Sequence, residues 1–312
     1  MNERPCVSVI IVTYQSRGHI AACLESLKRT GSGWIAECRV VDNHSPDNTP
    51  DYIRGNFPWV DVTTLENNLG YGRAINRVAP SCRGDYILIL NPDVVVQNGT
   101  LRTLVEFLDL RPQAAACGPK LLSPEGRFRF ESRRGFPTPL NSFAYISGLD
   151  RLFPFSRRLS GYQRRWLSPD FEVATDSLSG SCMMVRRNCF QEVGGFDESY
   201  FLFGEDIDLC WKLRHAGYEN WYVPTAAVVH IKGASMKFAP GVARKEFYRS
   251  MLIYMDKRLA PFHSKPVMWA ARLGVKIVAK FTGKYRSSNY DRMYQSESHL
   301  SHMQVTDGQS IR

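Results

Sequence analysis

The chain has 312 residues, 44% hydrophobic and 22% charged, a globular composition that excludes a disordered, collagenous or membrane-embedded protein. Its 40 Lys and Arg against 30 Asp and Glu give a formal charge of +10. That excess favours anionic partners (nucleotide diphosphates, nucleic acid or acidic lipid) without choosing among them.

The N-terminal stretch MNERPCVSVIIVTY has no basic leader before a long apolar core, and its apolar run Val7 to Val12 is strand-sized. A cytoplasmic protein is expected, with any membrane contact peripheral. The amphipathic segment Ile20 to Arg29 follows, with Ile20, Cys23, Leu24 and Leu27 on one helical face. A second strand, Glu37 to Val41, ends in Asp42. Strands at Val60 to Leu65 and Tyr86 to Leu90 then alternate with helices at Tyr71 to Val78 and Leu101 to Leu110. This rhythm predicts an α/β fold with a mostly parallel, doubly wound sheet flanked by helices. Ligands bind such sheets at the carboxyl ends of strands, where Asp42 and Asn91-Pro92-Asp93 stand.

Residues 127–165 loosen the pattern, with prolines at 137, 139 and 154 and arginines at 127, 129, 133, 134, 151, 157, 158, 164 and 165. A long, basic, mobile insertion is expected there. Regular structure is predicted to return at Ser177 to Val185. A helix is predicted from Ile207 to Ala216, stopped by Gly217, and a strand from Ala226 to Val229, ending in His230. The last part is helical at Val242 to Arg258 and again at Pro266 to Phe281, where Arg272, Lys276 and Lys280 recur at helical spacing. That basic amphipathic helix suits an anionic bilayer surface, or else packs on the main domain with its charges in water. It is too interrupted by charge to span a membrane, which takes roughly 20 apolar residues. The expected organisation is one catalytic domain over 1–235, a helical extension over 236–286 and a disordered tail over 287–312. The eight cysteines stand singly, without zinc-site spacing, and read as buried reduced thiols.

Several residues carry chemistry, each with a plainer reading beside it. Asp42 accepts hydrogen bonds from an imide or hydroxyl, or caps its own loop. The glycines of NNLGYGRAIN permit close backbone approach and Arg73 suits a phosphate, although the segment matches neither GxGxxG nor a P-loop. Asp93 faces a phosphate-bound cation or merely forms a turn. Glu205, Asp206 and Asp208 are favourably placed at a helix N-terminus, yet they follow the apolar aromatic loop YFLFG. Poor hydration there lets one carboxylate act as a general base. His230 is a metal ligand or a buried, hydrogen-bonded histidine.

In chain order, VSVIIVTYQS, VVDNHSPDNT, NNLGYGRAIN, YILILNPDV, LSGSCMMVRR, GGFDESYFLFGEDIDLCWKLRHAGY and VVH together resemble glycosyltransferase family 2, of GT-A fold. Within that family the chain looks most like the rhamnosyltransferase-like branch of bacterial surface-polysaccharide synthesis, which often carries NPD in place of a strict DxD. The resemblance implies that Thr13, Tyr14 and Asp42 hold the nucleobase, with Gly70, Arg73 and Asn76 near the ribose and diphosphate and Asn91 also on the donor side. It places Asp93 and His230 on Mg²⁺ or Mn²⁺, makes Asp206 the catalytic base, and puts Gly180, Ser181 and Glu205 on the acceptor side. Asn91 departs from the strict pattern, replacing the first acid by a neutral amide.

The function so implied is an inverting, metal-dependent hexosyl transfer, of rhamnose from dTDP-rhamnose, onto a lipid-linked or polysaccharide acceptor. Two alternatives stay open: a UDP-sugar donor (N-acetylglucosamine, galactose or galactofuranose), and a non-catalytic nucleotide-sugar binding module. No nucleic-acid-binding motif accompanies the arginines, so nucleic acid is not expected as a partner.

Overall fold

The structure, a computed structural model, describes residues 6–231 and 240–285. The chain divides into two compact units, Met1–Tyr254 and Met255–Arg312. The tail expected over 287–312 and the expected junction at 235/236 lie outside the described residues.

The first unit opens with β1 (Val7–Thr13), α1 (Ile20–Thr30), β2 (Ile35–Asp42), α2 (Thr49–Asn56), β3 (Asp61–Thr64), α3 (Tyr71–Val78) and β4 (Tyr86–Leu90). Every residue of β1 and β4 is buried, as expected for strands covered on both faces. Their side chains alternate between two cores. Val7, Val9, Ile11, Leu88 and Leu90 join one, while Ile10, Val12, Ile87 and Ile89 join the other. Strands β3, β2, β1 and β4 pair in parallel, in that order.

Beyond β4 come β5 (Val94–Val96), α4 (Thr100–Asp109), β6 (Ala114–Leu122), α5 (Pro139–Ser147), α6 (Leu149–Leu152), β7 (Val173–Thr175), β8 (Cys182–Arg186), α7 (Arg187–Glu192), α8 (Glu205–His215), β9 (Glu219–His230) and α9 (Pro240–Tyr254). Here the sheet turns mixed. β8 runs antiparallel to both β4 and β6, and β9 is parallel to β6 but antiparallel to β5 and β7. The parallel pairing expected for most of the sheet is continuous through its first half, and antiparallel pairs enter beyond β4. Helical crossovers join β1 to β2 and β2 to β3 there, whereas β8, from far along the chain, is inserted between β4 and β6.

The region expected to be a mobile insertion contains regular structure. Helix α5 has Pro139 in its first turn and a capping box in which the Thr138 hydroxyl accepts from Asn141 N–H and Asn141 Oδ1 accepts from Thr138 N–H. Isolated bridges tie Leu122 to Phe128 and Arg134 to Ser177, so the excursion leaves and rejoins the sheet along paired backbone. All eight cysteines are buried. The second unit contains α10 (Lys265–Tyr285), with Arg272 paired to Asp256 at 2.6 Å. Among the described residues, no helix is long and apolar enough to cross a membrane.

Candidate active site

Thr13 and Asp42 end β1 and β2 and face each other in register at the carboxyl end of the parallel strands, beside the β1/β4 junction where the strand order reverses. The Asp42 carboxylate is fully buried. Its Oδ2 accepts from the hydroxyls of Thr13 (2.8 Å) and Ser45 (2.6 Å), and Oδ1 accepts from Ser45 N–H at 2.8 Å. Three of its roughly four acceptor positions are thus used within the protein. The adjoining loops carry left-handed backbone at Gln15, His44 and Asn48, none of them glycine. Such conformations cost on the order of 1–3 kcal/mol each and concentrate at ligand-binding loops. Tyr14 is half-buried beside them.

Gly70 is required where it stands. Its φ is +85°, and a Cβ would come within 2.3 Å of the Phe201 carbonyl oxygen. Its own carbonyl accepts from Asn43 Nδ2 at 3.2 Å, which ties the loop after β2 to the start of α3. At that start, the buried Tyr71 hydroxyl lies 2.9 Å from both Asn91 Oδ1 and the Gly180 carbonyl. Asn91 N–H also donates to the Ser181 carbonyl at 2.9 Å. Ser181 is buried, its hydroxyl 2.8 Å from that of Ser179. The neutral amide at 91 therefore belongs to a bridge between the strand that ends in Leu90 and the strand that begins at Cys182. Arg73 and Asn76 are not brought into this bridge. Arg73 Nε donates to the Glu198 carbonyl (2.9 Å), Asn76 Nδ2 to the Phe196 carbonyl (2.9 Å), and both line an open cleft of about 380 Å³ with Leu69, Arg77 and Glu198.

Asp93 and His230 meet because β5 pairs with the end of β9, Val94 opposite His230. His230 Nε2 lies 3.2 Å from Asp93 Oδ1, and both side chains are buried. Asp93 Oδ1 and His230 Nδ1 have no hydrogen-bond partner, although such buried atoms are ordinarily satisfied. A carboxylate and an imidazole suit Mg²⁺ or Mn²⁺ chemically. Their spacing also fits, since adjacent ligands of an octahedral ion with bonds of about 2.1 Å stand about 3 Å apart. Among the described residues no group of three His, Cys, Asp or Glu could hold a metal, so this pair alone would leave most of an octahedral shell to other ligands. His19, at the start of α1, also feels the charge of Asp93. Burial nevertheless holds its pKa below the ordinary value, and its Nε2 is buried without a partner.

Asp206 sits in the first turn of α8, a favourable place for an anion. Its Oδ2 accepts from Arg134 Nη2 at 2.6 Å and Gly180 N–H at 2.9 Å, and Oδ1 accepts from Ile207 N–H at 2.8 Å. A Cβ at Gly180 would lie 3.1 Å from the Asp206 Cβ, so glycine permits that close backbone approach. Glu205, by contrast, is fully enclosed, with Oε2 unpartnered. Burial first, then repulsion from Asp206, pushes its pKa up to about 8, with Arg134 acting in the opposite sense. Of the two adjacent acids, Asp206 is partly reachable and accepts three hydrogen bonds, and Glu205 is enclosed where burial favours its neutral form. Burial works against the charge of Arg134, but Asp206 overrides it and the net direction is upward. The aromatic loop before α8 is covered by α9, through Phe203 against Phe247 and the Ser250 hydroxyl on the Leu202 carbonyl.

Hydrogen bonds thus run from Asn91, two residues before Asp93, through Tyr71 and Gly180 to Asp206. Three participants are not assigned from the sequence pattern. Ser45 was legible in principle, since Asp-x-x-Ser after a strand is a turn signature. Tyr71 and Arg134 had no local signal, because their partners lie far along the chain.

A family model described as glycosyl transferase family 2 matches residues 8–194, and one described as the N-terminal domain of galactosyltransferase matches 165–236. The chain is 31% identical over 275 residues to an N-acetylglucosaminyl-diphospho-decaprenol L-rhamnosyltransferase of Mycobacterium tuberculosis, covering 85% of this chain and 88% of that protein. It is 30% identical over 180 residues to the rhamnosyltransferase WbbL of Escherichia coli, covering 58% of this chain and 63% of the relative. Among solved structures, it is similar to a mannosyltransferase from Pyrobaculum calidifontis in complex with GDP-Man and Mn²⁺. That likeness has a TM-score of 0.55 and 17% identity, covering 96% of this chain and 81% of the other, and it speaks to the fold alone. On these matches and the mixed α/β architecture, the chain belongs to glycosyltransferase family 2, in its rhamnosyltransferase-like branch, with a GT-A fold.

Proposed function

We propose that this chain is an inverting hexosyltransferase that moves rhamnose from dTDP-rhamnose to a lipid-linked glycan acceptor in bacterial surface-glycan synthesis. The observation that carries the reading is the buried Asp93–His230 pair, two residues along the chain from Asn91, together with the hydrogen bonds that run from Asn91 through Tyr71 and Gly180 to Asp206. It couples a site suited to a diphosphate-bound cation with a carboxylate suited to proton removal.

In this reaction an acceptor hydroxyl oxygen attacks the anomeric carbon as the bond to the nucleotide diphosphate breaks, and Asp206 takes the hydroxyl proton. Arg134 and Gly180 N–H fix Oδ2, leaving lone pairs on a carboxylate that is oriented before the acceptor arrives. Glu205, neutral and enclosed, keeps a second negative charge from forming beside it. Asp93 and His230 would hold Mg²⁺ or Mn²⁺, which when bound supplies positive charge to the departing diphosphate. Thr13, Tyr14, Asp42 and Gly70 serve the nucleoside end, and Asp42 reaches a nucleobase once the Ser45 loop shifts away from it. Gly180 and Ser181 belong to the acceptor side, and the enclosed Glu205 serves it through its neighbour Asp206.

The donor assignment follows the two rhamnosyltransferases named above. Calorimetric titration with dTDP, UDP and GDP, each with and without Mn²⁺, on the wild type and Asp93→Ala, tests it. Mn²⁺-dependent preference for dTDP, lost in the variant, is the expected result. Preference for UDP moves the donor to the glucosamine or galactose group, and no nucleotide binding overturns the transferase reading.

A further inference from the structure

The arginines of the basic excursion fall into two sets. Arg133, Arg134, Arg164 and Arg165 turn inward, onto main-chain carbonyls, Asp206, Asp176 and Asp150. Arg151, Arg157 and Arg158 are exposed. Between Glu131 and Asp170 the only acidic residue is Asp150, which is buried and bonded to Arg165.

Large apolar side chains are exposed in the same stretch: Phe155 at 82%, Leu152 at 73% and Phe143 at 62%, with Leu140 and Phe153 also in water. Lone exposed apolar residues are ordinary, but five on α5, α6 and the adjoining turn, beside three cations, are not. The helices are well enough built to hold them there, through the Thr138 capping box and the bond from Asn141 Nδ2 to the Phe136 carbonyl. Helix α5 is also tied to the candidate base through side-chain contacts. Tyr145 of α5 packs edge-on against Tyr162, whose hydroxyl accepts from Arg134, the partner of Asp206.

We propose that Leu140, Phe143, Leu152, Phe153 and Phe155, with Arg151, Arg157 and Arg158, form a surface that docks the chain on an anionic lipid bilayer. The aromatic and leucine side chains enter the headgroup boundary while the arginines meet lipid phosphates. Charge complementarity selects this occupant: every exposed charge over 140–160 is positive, which matches an anionic headgroup surface. The inference deepens the lipid-linked acceptor reading and rests on it, since a base beside the membrane surface meets an acceptor whose lipid stays in the bilayer.

The test is sedimentation of the full chain with vesicles of phosphatidylcholine alone or of equal parts phosphatidylcholine and phosphatidylglycerol. The wild type is expected on the anionic vesicles and to be released by salt. The variant R151Q/R157Q/R158Q is expected to bind about a hundredfold more weakly, each surface arginine contributing about fivefold. The variant F143S/F153S/F155S is expected to be released at lower salt than the wild type. Both variants change exposed positions only and should keep the wild-type nucleotide titration, which reports folding and the donor site separately.

Absence of wild-type binding, binding unchanged in both variants, or binding lost only when the exposed Trp269, Leu273 and Ile277 of α10 are replaced overturns the proposal. Displacement by inorganic pyrophosphate at matched ionic strength also overturns it, by assigning the arginines to a diphosphate rather than a bilayer. If nucleotides bind and vesicles do not, the docking surface fails alone. If nucleotides fail to bind, the transferase reading fails.

Discussion

The sheet half of the first unit and the excursion between β6 and β8 are held by different physics. In β1 and β4, strands covered on both faces alternate their side chains between two apolar cores, and burial does the work. In the excursion, cations do it. Arg133 is fully buried, donates to the carbonyls of Arg164 and Leu167, and lies over the rings of Phe128 and Tyr222. Arg164 reaches Asp176, and Arg165 reaches Asp150 and lies over Phe130. The candidate site joins the two halves. Its nucleotide end belongs to the rigid parallel strands, while its candidate base is oriented by an arginine from the excursion. Donor recognition and acceptor chemistry should therefore be separable by mutation.

The largest expected effect is on the acceptor side. Asp206→Asn keeps the shape and removes the proton acceptor, so turnover should fall by about 10²- to 10⁴-fold with donor-nucleotide affinity unchanged in calorimetry. Retained turnover would remove Asp206 from the role of base. Next comes Arg134→Gln, which leaves the partly buried Asp206 carboxylate without its cation. Breaking such a pair costs about 3–5 kcal/mol, visible as a lowered denaturation midpoint, and kcat should fall more than the donor KM rises. An unchanged midpoint would mean that the excursion does not depend on this staple.

Glu205→Gln sharpens the comparison through pH. Because the folded pKa of Glu205 is raised above 4.5, to about 8, the folded state retains a proton that the unfolded chain has released across that window. Stability from this group is full below the ordinary carboxylate pKa and declines as pH rises through about 8. The variant should lose that part of the decline in denaturation curves taken at both ends of the window. An identical pH dependence would show that Glu205 ionises normally. The smallest effect belongs to the donor end. Ser45→Ala removes one hydroxyl from Asp42, costing about 1 kcal/mol, and should alter nucleotide affinity while leaving the acceptor KM alone. A changed acceptor KM would mean that the two ends are coupled.

Much of this was legible in the sequence. α3 and β4 fall where their periodicity predicts, and α1 and α4 come within a residue at each end. Other elements had no such signal. β6, AAACGPKLL, carries Gly and Pro and little β-branching, so it reads poorly as a strand and forms one by pairing with β8 and β9. β9 extends well upstream of the predicted Ala226 because it crosses from one partner region to the next. α5 is hidden among prolines that cap a helix in context but look like breakers in a list. At the site, Asp42, Asp93, Asp206 and His230 were singled out from their positions after strands or at a helix start. Arg73 and Asn76 were read toward the diphosphate, and the structure occupies them with the 196–198 loop.

By itself the sequence determined what depends on near neighbours: the two-core alternation of the central strands, the polar residues at their ends and the acids opening α8. These follow from periods of two and 3.6 residues and from the preferences of strand ends and helix starts. Tertiary structure alone decided which residues those groups would meet. Asn91 finds Tyr71, Asp93 finds His230 and Asp206 finds Arg134, each pairing short in space and long in sequence. It also sorted arginines that look alike in the sequence into staples and an exposed cationic face, because burial and pairing depend on where the folded chain places their partners.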